Sequence, residues 1–285
     1  MEPFMKSESV PALLHLEPWR EPYGQITAGF TGRTGGTGKQ PYDSFNCAFH
    51  VGDDPEDVLS NRRLLAASLG FRLEDWTCGE QTHGIDIAVI TEQDRGRGSL
   101  DRTSAFQATD GLLTSVPGVL LTSFYADCVP LFFYDPVHQA VGLAHAGWKG
   151  TVAGIAAAMV QKMEQVYGTR PEEIRAAIGP SIGECCYEVD DYVMDHVRRM
   201  ETELKLPGTE AGAQELYSRS AKDSSKYMLN LKEMNQRIMI KAGILPIHIE
   251  CTTWCTSCNS DQFFSYRKEN GVTGRMTSWI GIKES

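Results

Sequence analysis

A chain of 285 residues with 41% hydrophobic and 22% charged side chains has a globular composition, and it is long enough to bury a large core without disulfide or metal staples. Its 27 basic and 37 acidic residues leave a formal charge of −10, which argues against nucleic acid as a polymeric partner but leaves room for a small anion at a local site. No stretch approaches the ~20 apolar residues of a membrane span. The opening MEPFMKSESVPALLHLEPWR is interrupted by Pro and Glu, so it does not read as a signal peptide. The expectation is a cytoplasmic protein whose eight cysteines, spread from Cys47 to Cys258, are mostly thiols.

Along the chain, GQITAGF begins as a short strand and opens into a glycine-rich loop. The loop carries Gly38–Lys39 but is not a P-loop, because Arg33 and Gln40 stand where that motif needs glycine and a hydroxyl. DDPEDVLSNRRLLAASLG reads as a helix capped by Asp54, with Pro55 in its first turn and Gly70 closing it. CGEQTHGIDIAVIT follows as a loop and then a strand, with Ile85, Ile87 and Val89 alternating against polar or small residues. TDGLLTSVPGVLLTSFYADCVPLFFYD reads as a strand, a turn at Pro117–Gly118 and one long strand, and HQAVGLAHAG as another. In WKGTVAGIAAAMVQKMEQVYG, the residues Val152, Ile155, Ala156, Met159, Val160, Met163 and Val166 form one helical stripe ended by Gly168. PEEIRAAIGPSIGECCYEVD supplies a helix start, a short strand and a glycine turn, DDYVMDHVRRM and MLNLKEMNQRIMIKAGI are helices, and the C-terminal part returns to strands and loops. The mixture predicts an α+β protein with a substantial mixed sheet covered by helices. Strands joined by tight turns argue against a doubly wound parallel sheet.

The chemistry concentrates in YADCVPLFFYDPVHQAVGLAHAGWKG. A hairpin turning at Pro136–Val137 pairs Asp135 with His138 and, counted outward, Cys128 with His145. Side chains opposed in this way have Cβ atoms roughly 4.5–5.5 Å apart, a separation that suits two ligands of one metal or a thiolate–imidazole pair. Pro130 marks a place where a bulge would slip the register. Read singly, a strand cysteine is a small buried hydrophobe and a lone histidine is structural; the pairing, and Asp127 in the same apolar run, raise both. The glycines around Trp148–Lys149 open a helix, and with Lys149 they offer an anion site.

Two chemistries fit the pair. In one, Cys128 is a nucleophile and His145 its base. In the other both hold a zinc ion with a third protein ligand and one open position, the third ligand being His83 in EQTHG or His50 in FHVGDD. The C-terminal CTTWCTSC carries Cys251, Cys255 and Cys258, but no second half of a four-ligand pattern stands nearby, and Cys185–Cys186 reads as a vicinal pair of buried free thiols.

GRTGGTGKQPYDSFNCAFHVGDDPEDVLSNRRLL, EQTHG, ADCVP, HAGWKGT, GPSIGECCYEV and FFSYRKENGVTGRM occur in this order. Together they resemble the YfiH family, also called the laccase-domain or multicopper polyphenol oxidase family, from about residue 29 to 282, as a single-domain bacterial member spanning 1–285. The resemblance implies a four-layer α/β/β/α sandwich with mixed sheets and a metal site, usually zinc, at His83, Cys128 and His145. It also implies purine nucleoside chemistry: phosphorolysis of adenosine, inosine, guanosine and methylthioadenosine, and deamination of adenosine. Purine nucleosides and phosphate are then the partners. Asp127 either shuttles a proton or orients a ligand, Lys149 and Arg33 are candidates for phosphate, Arg267 and Arg275 are further anion candidates, and Asn46 and Gln81 are candidates to read base or ribose edges. The alternatives are a metal-free cysteine hydrolase or amidase, with a link to cell-wall precursors through family members described as peptidoglycan editing factors; a laccase-like polyphenol oxidase using copper; and a zinc-stabilised binding protein. Seven scattered histidines without His-x-His pairs argue against a trinuclear copper cluster, and the signature of the standard zinc deaminases is absent.

Overall fold

Two six-stranded sheets lie face to face in the computed structural model, which describes residues 1–7, 12–204 and 215–284. In chain order the first strands are β1 (Phe4–Lys6), β2 (Leu13–Leu16), β3 (Ile26–Thr31), β4 (Trp76–Cys78) and β5 (Ile87–Val89). Next come β6 (Gly111–Thr114), β7 (Leu120–Tyr125), β8 (Val129–Asp135), β9 (Ala140–Ala146) and β10 (Arg175–Ile178). The last are β11 (Glu188–Val189), β12 (Tyr217–Arg219), β13 (Tyr227–Leu229), β14 (Ile249–Cys251) and β15 (Met276–Ile282). The helices are α1 (Glu17–Arg20), α2 (Pro55–Leu69), α3 (Trp148–Val152), α4 (Ile155–Tyr167), α5 (Asp191–Leu204) and α6 (Leu231–Lys241). One sheet runs β1-β2-β3-β15-β7-β4, the other β14-β10-β8-β9-β6-β5, and β11-β13-β12 form a small third sheet. Both large sheets mix parallel and antiparallel pairs.

Strand alternation decides the layers. Leu14, Ala28, Phe30, Leu121, Tyr125 and Ile280 of the first sheet meet Phe132, Tyr134, Val141 and Leu143 of the second in a core between the sheets. The opposite face of the first sheet, with Trp76, Leu120, Phe124 and Trp279, is covered by Leu65, Ala66 and Leu69 of α2. The outer face of the second sheet, with Leu131, Phe133, Ala144 and Ala146, is covered by α4, α5 and α6 through Met159, Met163, Met194, Val197, Met234 and Ile238. The result is the four-layer α/β/β/α sandwich with mixed sheets. Among the described residues no helix is long and apolar enough to cross a membrane.

Helix α2 follows its local signals: the Asp54 side chain accepts the Glu56 N–H, and Gly70 closes the helix in the left-handed region. Three expectations are corrected. The predicted single helix from Trp148 is two helices, because Gly154, at φ 86°, ends α3 and restarts the chain as α4, and Val166 at the end of the predicted stripe stays exposed. The long strand through Tyr125–Cys128 is two strands in different sheets, since Asp127 at φ 84° turns the chain out of β7 and into β8. The β8–β9 hairpin pairs Asp135 with Ala140 and Pro130 with His145, so Cys128 does not face His145. The Asp135 carboxylate accepts the N–H groups of Val137 and His138, and Gln139 adopts φ 51°, which lengthens the loop by two residues. A two-residue change keeps every side chain on its predicted face, so the two ligand candidates still converge.

Candidate active site

The chain crosses between the sheets at Ala126–Cys128, and that crossing opens a cleft of about 550 Å³ at one end of the sandwich. Cys128 enters it half-buried from the start of β8. His145, near the end of β9, points from the inter-sheet face and is 3% exposed. His83 arrives from the loop between β4 and β5 in a left-handed conformation, φ 64°, a geometry that costs of order 1–3 kcal/mol and persists only where the surroundings enforce it.

Asp110, just before β6, does the enforcing. Its carboxylate accepts the backbone N–H groups of Thr82 (3.0 Å), His83 (3.0 Å) and Gly84 (2.8 Å). The same carboxylate accepts the Nδ1–H of His145 at 2.8 Å, which leaves Nε2 of that ring to the cleft. The two histidine rings are 4.8 Å apart at 76°, and Cys128 Sγ is 3.8 Å from His83 Nε2. Burial alone would raise the Cys128 thiol, but the His145 and His83 imidazoles outweigh it and hold it down to about 6. Burial likewise opposes the His145 cation, yet the Cys128 thiolate and the Asp110 carboxylate hold it up to about 9. Asp110 is itself held below its ordinary value: burial works against the carboxylate, and the His145 bond and the Gly84 and Thr82 amides prevail.

The two imidazole nitrogens and the thiol sulfur all lie within 4.8 Å of one another, a spacing that fits one metal ion. A Cβ built on Gly147 would lie 2.6 Å from His83 Cδ2 and 3.1 Å from Cys128 Sγ, so glycine there keeps the space between the donors free. A carboxylate behind a ligating imidazole is the usual partner that fixes tautomer and ring orientation. The trio with Asp110 behind it therefore suits a bound metal with a coordination position left over, and His50 remains outside the trio.

The cleft walls combine aromatic and cationic groups. Phe49, Phe124, Trp148, Tyr187 and Tyr266 line it together with Arg62, Arg102, Arg267 and Arg275. Arg62 is buried, its guanidinium 4.2 Å from the Phe49 ring centre, and it donates to the carbonyls of Cys47, Gly98 and Ser99. Arg102 pairs with Glu80 at the rim. Arg275 donates to the Thr273 and Gly274 carbonyls, and Arg267 to the Glu188 carbonyl. His50 also lines the cleft, and desolvation, followed by Arg275, Arg102 and Arg62, pushes it down to about 4. Lys149 faces an adjoining recess of about 230 Å³ shared with His83 and Cys128.

Two of the predicted binding residues lie elsewhere. Arg33 is held by Glu269 (3.0 Å) and the Ser260 carbonyl (2.7 Å) outside the cleft lining. Asn46 is fully buried behind it, donating to Asp53 and accepting the Arg275 N–H at 3.0 Å. Gln81 does line the cleft, but its amide pairs with both the N–H and the carbonyl of Phe124. Asp127 is present with both oxygens engaged: Thr256 Oγ1 (2.6 Å) on one, Ser265 Oγ and the Arg267 N–H on the other. The residues the sequence reasoning missed are Asp110, Arg62 and Arg102. An acid immediately ahead of the buried strand GLLT was the one available signal for Asp110.

Sandwich and site together define a laccase-domain protein. The profile described as multi-copper polyphenol oxidoreductase laccase matches residues 27–283, and the chain belongs to that family. It is 45% identical over 264 residues, 92% of each chain, to the purine nucleoside phosphorylase YlmD of Geobacillus stearothermophilus. To the purine nucleoside phosphorylase YlmD of Bacillus subtilis it is 39% identical, with 98% of each chain covered. The crystal structure of YlmD from Geobacillus stearothermophilus superposes over 100% of both chains with a TM-score of 0.90 at 42% identity.

Proposed function

We propose that this protein is a zinc-dependent purine nucleoside phosphorylase that works in the His83–Cys128–His145 cleft. The observation that carries the reading is the cleft itself: a three-donor N/S site beside four arginines, in a chain whose net charge is −10. Its likeness to proteins named purine nucleoside phosphorylases supports the choice of reaction.

His83, Cys128 and His145 would hold the metal. Zinc bound there would supply Lewis acidity and a lowered pKa for water, the chemistry that hydrolysis at C6 of adenine needs. The aromatic walls take the purine between them. Arg275, Arg267 and Arg102 hold phosphate, with Lys149 adding an ammonium from the recess it shares with His83 and Cys128. Phosphate oxygen bonds to C1′ of the ribose as the bond to N9 breaks; the electron pair leaves with the base, which takes up the proton that phosphate loses, and the products are a free purine and ribose 1-phosphate, or 5-methylthioribose 1-phosphate from methylthioadenosine. Asp110 keeps His145 in one tautomer, and neutral His50 offers a hydrogen bond to the nucleoside. Adenosine, inosine, guanosine and methylthioadenosine are the proposed substrates, with deamination of adenosine as the water reaction of the same site.

One observation favours a second reading. Asp110, His145 and Cys128 line up as orienter, base and activated thiol, the arrangement of a cysteine hydrolase. Product analysis of zinc-loaded and chelator-treated enzyme, with and without phosphate, separates the two. Phosphate-dependent release of purine that is lost with zinc and in Cys128→Ala supports phosphorolysis. Cys128-dependent turnover that survives chelation overturns it.

A further inference from the structure

Residues 252–275, between β14 and β15, contain no helix or strand apart from a single bridge between Ser181 and Cys255. Yet this segment supplies Tyr266, Arg267 and Arg275 to the cleft, and its Thr256, Ser265 and Arg267 hold the strained Asp127 crossing. An irregular segment this long needs something to order it.

Its first turn carries Cys255 and Cys258, a Cys-x₂-Cys pair, and the turn at residues 184–186 brings Cys185 and Cys186 against them. The four Sγ atoms all lie within 4.8 Å of one another, with Cys258 at 3.5 Å from Cys185 and 3.4 Å from Cys186. Four sulfurs around a zinc ion with bonds of about 2.3 Å stand roughly 3.8 Å apart, inside this range. All four cysteines are free thiols. A polynuclear iron–sulfur cluster would spread its ligands more widely, so the spacing selects a single ion. Successive residues on a strand would point to opposite faces, whereas the turn lets Cys185 and Cys186 reach one point.

The groups around the four sulfurs point the same way. The Gly183 N–H donates to Cys255 Sγ at 3.2 Å. A Cβ on Gly183 would come within 3.2 Å of both Cys185 Sγ and Cys255 Cβ, so the glycine keeps the sulfur cluster open. Cys185 and Cys258 are exposed, which gives an ion a way in, while Cys255 is buried.

We propose that Cys185, Cys186, Cys255 and Cys258 bind a second Zn²⁺, which staples residues 252–275 to the turn after β10 and so holds one wall of the cleft. Zn²⁺ comes from the medium, the four thiol protons leave to solvent, and nothing is oxidised or reduced. The site shares no residue with the His83–Cys128–His145 centre.

Zinc per chain, measured by elemental mass spectrometry on wild type, His83→Ala and the double variant Cys255→Ser/Cys258→Ser, tests it. Two zinc ions in wild type, with one remaining in each variant, is the expected result. One zinc in wild type that is lost in the double variant also supports this site, and it would count against the cleft metal alone. Zinc content in the double variant equal to wild type overturns the proposal. Should the double variant fail to fold, wild-type alkylation mapped by peptide mass gives a second test. Cys185 and Cys258 should react about tenfold or more faster after chelation; equal rates, or a Cys185–Cys258 disulfide in the isolated protein, overturn it.

Discussion

The Asp110 carboxylate binds His145 through Nδ1 at 2.8 Å and, with its two oxygens, also receives the N–H groups of Thr82, His83 and Gly84. One side chain therefore sets the tautomer of one candidate metal donor and the backbone of another. Asp110→Asn keeps the size but replaces one acceptor oxygen with a donor that faces N–H groups. Zinc affinity, measured by competition with a chromogenic chelator, should fall about 10–100-fold, the usual effect of removing such a partner. Unchanged affinity would mean that Asp110 serves only the loop.

Gly147 tests the shape of the same site. Its φ of −67° is open to any residue, so alanine there strains nothing in the backbone. The added Cβ would nevertheless sit 2.6 Å from His83 Cδ2. Gly147→Ala should lose metal and activity while stability, read by denaturant unfolding, falls by no more than about 1–3 kcal/mol. A variant that binds zinc normally would show that His83 has another route to the ion.

The metal-free protein has its own signature. With Cys128 held down to about 6 and His145 held up to about 9, the thiolate–imidazolium pair dominates between those values. Alkylation of Cys128 in chelated protein should rise with pH and reach half its maximum near 6, where the free thiol would reach it near 9. In His145→Gln the midpoint should move upward, because burial then acts without its main opposing cation. A wild-type midpoint near 9 would rule out the pair.

What the sequence made legible follows the range of the interactions involved. Helix α2 was readable because Asp54, Pro55 and Gly70 act within their own turns. Cys128 and His145 were readable as neighbours because a hairpin is local, and the error of two residues in its register left their faces intact. The break at Asp127 was hidden in an apolar run, because the groups that hold it, Thr256, Ser265 and the Arg267 N–H, come from the far end of the chain. The cysteine quartet was hidden for the same reason: Cys255 and Cys258 find their partners in a turn before α5, and neither half makes a four-ligand pattern alone. Arg33 and Asn46 sit in polar, glycine-rich sequence that looks like a binding loop, but Glu269 and Asp53 satisfy them internally.

Arg275 and Arg33 then make a matched pair for the phosphate assignment. Both were anion candidates from sequence, and only Arg275 lines the cleft. Its guanidinium donates to the Thr273 and Gly274 carbonyls through one nitrogen, a tether that aims the group without neutralising it. A charge-assisted hydrogen bond is worth about 1.5–3 kcal/mol, so Arg275→Ala should raise the phosphate KM by roughly 10–100-fold. Arg33→Ala removes the Glu269 ion pair and should lower the melting temperature while leaving that KM unchanged. Steady-state assays at varied phosphate decide between them. Should Arg33→Ala shift the KM as much as Arg275→Ala, the phosphate site lies at the glycine-rich loop and not among the cleft arginines.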